Sequence, residues 1–235
     1  MTGSNDFVFL LDVDNTLLDN DRVVADLDDY LRRELGLAHR DRYWTIFESL
    51  RTELGYADYL GACQRYRLGA LDDRRVLGVA LFLIDYPFAD RVYPGVLELM
   101  QHLHAWGPTV ILSDGDVVLQ PLKAWRSGLW DAVEGRVLIY VHKEAMLDDV
   151  ERRYPARRYV VVDDKLRLLA AMKNILRDRL TTVFPRQGHY ALDPSQVVAN
   201  SPPDVTVERI GDLINVDLAT LLGGPGDRRE TSEHR

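Results

Sequence analysis

Short apolar runs that each break off on a charged or polar residue set the tightest limit on what this chain can fold into. Phe7 to Leu11 is followed at once by Asp12, Val13, Asp14, Asn15 and Thr16; Thr109 to Leu112 by Ser113; Tyr159 to Val162 by Asp163 and Asp164. The run Arg136 to Val141 is closed by Lys143. Helical stripes lie between them, such as Val96, Leu99, Met100 and Leu103, or Leu166, Leu169, Met172 and Leu176. From Tyr93 onward this alternation predicts a parallel sheet with crossover helices. Open parallel sheets bind ligands at the carboxyl ends of their strands, so four strand ends converge on one predicted site. Loop turns alone would place Gly, Asn and Ser there. Two carboxylates left unpaired at a strand end would be costly, and they predict a cation, basic partners or a functional site.

The remaining elements follow from periodicity. Pro94 and Gly95 open the helix that carries Val96, and a further helix is expected around Val117 to Trp125. Another runs from Lys143 to about Arg153; Leu180 to Phe184 and Val205 to Val207 read as strands, and a final helix starts near Glu208. Residues 20–90 differ, with helical periods and no convincing strand: Val24, Leu27, Leu31, Leu35; Tyr43, Phe47, Leu50, Leu54; Val76, Val79, Leu83. Three or four packed helices are expected, with Gly36, Gly55 and Gly69 as left-handed C-caps. Tyr43, Trp44, Phe47, Tyr59 and Tyr66 should form most of that core, one or two of them facing a substrate.

Of 235 residues, 46% are hydrophobic and 28% charged, which marks a globular chain able to bury a core. A formal net charge of -8 gives no basic footprint and disfavours a nucleic-acid partner. Cys63 is the single cysteine, so an internal disulfide and a thiolate metal cluster are excluded. The opening residues lack a basic stretch leading into an apolar core, and no run of about 18 apolar residues occurs, so no membrane association and a cytoplasmic location are expected. The last residues, GGPGDRRETSEHR, read as a frayed tail.

Together these residues resemble the haloacid dehalogenase superfamily, in its aspartate-nucleophile phosphatase branch. The family's Asp-x-Asp-x-Thr motif is met by Asp12, Asp14 and Thr16, its second motif by Ser113, its lysine by Lys143, and its acidic pair by Asp163 and Asp164. A bare Asp-x-Asp-x-Thr occurs by chance in about a few per cent of chains this long. The weight therefore falls on the ordered recurrence of the other motifs, of which the lysine is the least specific, since Lys123, Lys165 and Lys173 also sit near helix starts or on helices. The resemblance implies an α/β fold: a Rossmann-like three-layer parallel-sheet core over 1–19 and 91–222, an all-helical cap over 20–90, and a tail over 223–235.

It also implies a chemistry. Asp12 would attack phosphorus to give an aspartyl-phosphate, a role a carboxylate fills without deprotonation at neutral pH. Asp14 would protonate the leaving oxygen and then deprotonate water. A magnesium ion (Mg2+) would be held by Asp12, Asp163, Asp164 and the Asp14 carbonyl, offsetting the repulsion between nucleophile and phosphate. Substrate contacts would come from Thr16, Ser113, Asp114 and Lys143, with the amides after Ser113 opening a helix. As plain structural residues, Asp12 and Asp14 would be turn residues, Ser113 an N-cap and Lys143 a surface lysine, while Asp114 and Asp116 fit turn or cap roles.

The expected partner is a small phosphorylated metabolite, acted on by a monomer or homodimer. A 2-haloacid dehalogenase is the nearest alternative; it lacks the second carboxylate, because a departing halide needs no proton, and Asp14 and the acidic pair argue against it. A phosphotransferase or phosphomutase would share the first half-reaction, and a non-catalytic phospho-ligand or partner-binding protein would have no need of the full motif set. Arg186, Gln187, Gly188 and His189 read as a turn that could border the site, and Arg32, Arg33, Arg51, Arg65 and Arg67 as mostly solvated.

Overall fold

The computed structural model describes residues 5–67, 74–193, 195 and 201–221. Six parallel strands form one sheet: β1 (Asn5–Leu11), β2 (Thr109–Asp114), β3 (Val137–Tyr140), β4 (Ala156–Val162), β5 (Leu180–Pro185) and β6 (Val205–Val207), in the order β3-β2-β1-β4-β5-β6. β1 and β4 are central because both of their faces are apolar. Along β1, Phe9 and Leu11 enter one core while Val8 and Leu10 enter the other; along β4, Val160 and Val162 alternate in the same way with Tyr159 and Val161. Each such leucine or valine contributes about 1.5–3 kcal/mol relative to exposure, which is what a strand covered by helices on both sides offers. The chain reverses its direction across the sheet between β1 and β4, and that switch point is where open parallel sheets leave a crevice.

Among the described residues, the first four helices after β1 are α1 (Asn20–Leu35), α2 (Leu37–Leu54), α3 (Tyr59–Arg67) and α4 (Arg74–Ile84). The side chain of Asp19 caps α1 by accepting from the Arg22 amide at 2.9 Å. Its buried stripe is Val23, Leu27, Leu31 and Leu35; the stripe begins at Val23 and not at Val24, which turns toward a cavity described below. Tyr43, Phe47, Tyr59, Tyr66, Val76, Val79 and Leu83 close the core of these helices, as their spacing predicts. Of the three glycine caps, Gly55 is left-handed, with φ 81 and ψ 2. Gly36 shares the positive φ, at 83, but its ψ of 166 takes it out of the left-handed helical conformation, and α2 begins at the very next residue. Gly69 and the tail over 223–235 lie outside the described residues.

The other helices are α5 (Val96–His104), α6 (Leu119–Arg126), α7 (Leu129–Ala132), α8 (Leu147–Arg153), α9 (Leu166–Leu176) and α10 (Gly188–Leu192). Three expectations are corrected. α6 starts at Leu119, since Asp116 takes the Val118 and Leu119 amides, at 2.8 and 2.7 Å, as a cap. The helix expected from Lys143 splits into a 3-10 turn, Lys143–Ala145, and α8, with a break at Met146. The stretch after Glu208 is a 3-10 turn, Ile210–Asn215, followed by a short helix, Leu218–Leu221. Among the described residues, no helix is long and apolar enough to cross a membrane.

Candidate active site

Asp12 follows β1 directly and is 4% exposed. Its amide donates to the Val162 carbonyl at 3.0 Å, which locks the residue against the end of β4. Its Oδ1 accepts from Lys143 Nζ at 2.5 Å and from the Ser113 hydroxyl at 3.2 Å. Burial pushes the Asp12 carboxyl up, but Lys143 and Lys165, together with the bonds from Lys143 and Ser113, outweigh it and hold the group below the usual carboxylate range. Lys143 is raised in turn: its desolvation is more than offset by Asp12, Asp163 and Asp114.

Of the lysines in the sequence, Lys143 is the one that reaches Asp12. Its amide donates to Asp114 Oδ1 at 2.7 Å, its Nζ also donates to the Leu112 carbonyl at 3.2 Å, and its Nζ lies 2.7 Å from Asp163 Oδ2. Lys173 points elsewhere, to Asp204 and the Leu180 carbonyl.

Asp12, Asp163 and Asp164 present oxygens that all lie within 4.8 Å of one another. Asp12 Oδ2 and both oxygens of Asp164 are buried with no hydrogen-bond partner among the described residues. Burial, only partly opposed by Lys165, pushes the Asp164 carboxyl well above the usual range, and burial raises Asp163 as well. Unsatisfied buried carboxylate oxygens are expensive. A hard divalent cation would relieve that cost, and three clustered carboxylates are the donor type that magnesium takes. Asp14 is not part of this cluster through its side chain.

The Asp14 carboxylate instead accepts from Lys123 Nζ at 2.8 and 2.9 Å. Lys123 is 1% exposed, donates also to Asn20 Oδ1 at 2.8 Å, and lies over the Tyr59 ring at 5.6 Å. Asp14 therefore joins α6 to the first residues of α1 and α3. Thr16 is buried and does not line the cavity; its hydroxyl accepts from the Asp164 amide at 3.1 Å, so it braces the acidic cluster instead of meeting a ligand. The amides after Ser113 do not open a helix. That of Gly115 is spent on the Tyr140 carbonyl, and those of Val118 and Leu119 on Asp116.

Two supports escaped sequence reasoning. Gln120 Nε2 donates to the Ser113 hydroxyl at 2.9 Å; the residue is 3% exposed, and no local sequence pattern marks it. The segment after β5 is no simple turn: Gln187 Nε2 donates to the Thr16 carbonyl at 2.8 Å, and the His189 amide to Asp21 at 2.8 Å. Gly188 has φ +76, and a Cβ there would meet Asn15 Cβ at 2.4 Å, so the segment can press on the Asp12 loop only with glycine. Asn15 itself has φ 60, a conformation asparagine tolerates.

Asp14 and Asp114 open onto a cavity of about 480 Å³. Its walls come from α1 and α2, the loop at Tyr56, the start of α9, and α10. Trp44, Phe47 and Tyr59 line it, as does Arg51, whereas Arg32, Arg33 and Arg65 pair with acidic neighbours on the surface.

The parallel sheet thus brings Asp12, Lys143 and the acidic pair Asp163 and Asp164 together at its switch point, as in an α/β protein with a site at its strand ends. The model of the haloacid dehalogenase-like hydrolases matches residues 8–175, and the chain belongs to that family. A protein of Burkholderia xenovorans LB400 described as a haloacid dehalogenase-like hydrolase is 68% identical, with a TM-score of 0.87 over 91% of this chain and 99% of that one. The L-2-haloacid dehalogenase of Xanthobacter autotrophicus is 20% identical, with a TM-score of 0.58 over 90% of this chain and 97% of its own, a likeness of fold. A haloacid dehalogenase-like family hydrolase of Xanthomonas campestris, 17% identical, gives a TM-score of 0.64 over 94% of each chain. No curated protein matches the chain.

Proposed function

We propose that this hydrolase cleaves a small phosphate monoester through an aspartyl-phosphate on Asp12. The observation that carries the reading is a pair of carboxylates two residues apart, each held by its own buried lysine, of which Asp14 lines the cavity and Asp12 lies deeper. Asp12 is buried on a lysine beside unsatisfied acidic oxygens, and Asp14 faces the cavity from which a leaving group would depart. A dehalogenase has no use for the second. Asp12, Asp163 and Asp164, with the Asp14 carbonyl, would hold a magnesium ion, which supplies charge neutralisation between the nucleophile and the phosphoryl group.

Phosphate esters are among the slowest substrates to react uncatalysed, so the site must place a nucleophile, positive charge and a proton donor together. Lys143 holds the Asp12 carboxylate on one oxygen, and the other has no hydrogen-bond partner among the described residues. Attack by Asp12 forms its oxygen–phosphorus bond as the ester oxygen–phosphorus bond breaks, and Asp14 gives the departing alcohol its proton. Asp14 then takes a proton from water, which attacks phosphorus and returns Asp12 as carboxylate with release of inorganic phosphate. In this reading the helices of residues 20–84 serve as a cap over the cavity.

Phosphate release from phenyl phosphate and a metabolite panel, with and without magnesium, tests the proposal. Wild type should turn over and Asp12→Asn should lose at least about a thousandfold, in line with loss of an essential nucleophile. Turnover of 2-chloropropionate to chloride with no phosphatase activity would replace the reading with dehalogenation, and undiminished phosphate release by Asp12→Asn would refute it.

A further inference from the structure

Four basic side chains line the cavity, and three already have an acidic partner. Arg51 Nη2 lies 2.8 Å from Glu48, Arg167 Nη1 lies 3.5 Å from Glu144, and His189 Nδ1 lies 2.5 Å from Asp21. The fourth, Lys165, has no carboxylate within ion-pair distance among the described residues. Its Nζ lies over the Tyr190 ring, 5.2 Å from the centroid.

The sequence offers Lys165 an obvious partner. Asp164 is adjacent, with two buried oxygens that nothing satisfies. Were Lys165 present only to neutralise the acidic cluster, its ammonium would sit on those oxygens, as Lys143 sits on Asp12. It stops beyond ion-pair distance of them and lines the cavity. Burial opposes the charge on the ammonium, but Asp12, Asp164 and Asp163 outweigh it through space and keep the group charged, and no carboxylate among the described residues lies within ion-pair distance of it. A charged lysine at a cavity wall is a ready donor to an arriving anion.

The surroundings describe the anion's carrier. Tyr190 links Lys165 to Arg51, whose Nη1 donates to the Tyr190 hydroxyl at 3.1 Å, so cation, ring and cation follow one another in the cavity lining. Trp44, Phe47 and Tyr56 also line the cavity, as does Asp14. Flat apolar groups stack on such a wall.

We infer that Lys165 is a substrate-binding residue for a second anionic group, carried on the half of the ester that leaves. The substrate class is then a phosphorylated organic acid with an apolar or aromatic body. The assignment of that anion to the leaving half rests on the phosphatase reading above; the existence of the anion subsite does not.

Two pairs of probes separate these. Wild type should hydrolyse 3-carboxyphenyl phosphate with a lower KM than phenyl phosphate, and Lys165→Met should lower kcat/KM for the carboxylated ester at least tenfold more than for its parent. Lys165→Arg should keep most of the preference. Equal losses on both esters, or no preference in wild type, would overturn the inference, because Lys165 would then serve the phosphoryl group or the fold. If wild type cleaves neither ester, the phosphatase reading fails, and equilibrium binding of benzoate against benzyl alcohol, followed by tryptophan fluorescence, decides the subsite. At least tenfold tighter binding of benzoate to wild type, levelled in Lys165→Met, supports it; equal binding in both proteins overturns it.

Discussion

At the scale of single residues, three buried or half-buried lysines do three different things. Lys143 serves Asp12, Lys123 serves Asp14 and Lys165 faces the cavity. The Lys123 and Asp14 pair is unequal in a way that predicts its energetics. Asp14 has a side chain 23% exposed and reaches cavity water, whereas Lys123 at 1% does not. Breaking a pair is most costly when the charge left behind is the buried one. Asp14→Ala should therefore destabilise the protein by about 3 kcal/mol in urea, Lys123→Met by about 1 kcal/mol, and the double variant by less than Asp14→Ala alone. Additive losses would show that the two side chains are not coupled.

Among the secondary-structure elements, β6 depends on one carboxylate at its start. Asp204 accepts from the Thr182 amide at 2.8 Å, the Thr182 hydroxyl at 2.9 Å and Lys173 Nζ at 2.8 Å, tying β6 to β5 and α9. Burial pushes its carboxyl up, but Lys173 and Thr182 outweigh that and hold it below its ordinary value of 3.8. Its contribution is thus complete above pH 3.8 and is lost as the pH falls through its lower folded value. Asp204→Ala should cost about 2 kcal/mol at pH 7 and progressively less as the pH is lowered below 3.8, measured by denaturant unfolding across that range. The segment at Gln187 to Tyr190 illustrates the opposite limit of legibility. Its polar composition reads as a turn, and its partners, Asn15, Thr16 and Asp21, lie some 170 residues away in sequence, where no local pattern registers them.

For the molecule as a whole, Cys63 reports on cohesion between the helices and the sheet. It is the single cysteine, packed in the core that α1 to α4 share with Phe9 and Leu11 of β1. Burial pushes its thiol up to about 12, with the Tyr43 bond only partly opposing it. A raised pKa contributes stability below the ordinary value of 9.0 that is lost as pH rises toward about 12. At neutral pH the thiolate, which is the species that reacts, should be about a thousandfold scarcer than in an exposed cysteine. Alkylation of the native protein should therefore follow unfolding, with the same urea dependence as loss of the sheet's circular dichroism. Labelling that precedes unfolding would show that the helices open from the sheet independently.

The sequence by itself determined the parallel sheet, its helical insertion and the residues that gather at the strand ends. These are properties of period, run length and the cost of placing charge at the end of an apolar strand, and all are local in sequence. Tertiary structure alone decided which lysine meets which aspartate, that Thr16 braces Asp164, that Gln120 holds Ser113, and that Lys165 lines the cavity beside Tyr190. Such choices depend on side-chain direction and on contacts between distant segments. The charge at the end of β1 is thereby divided: Asp12 is held by one buried lysine, Asp14 by another.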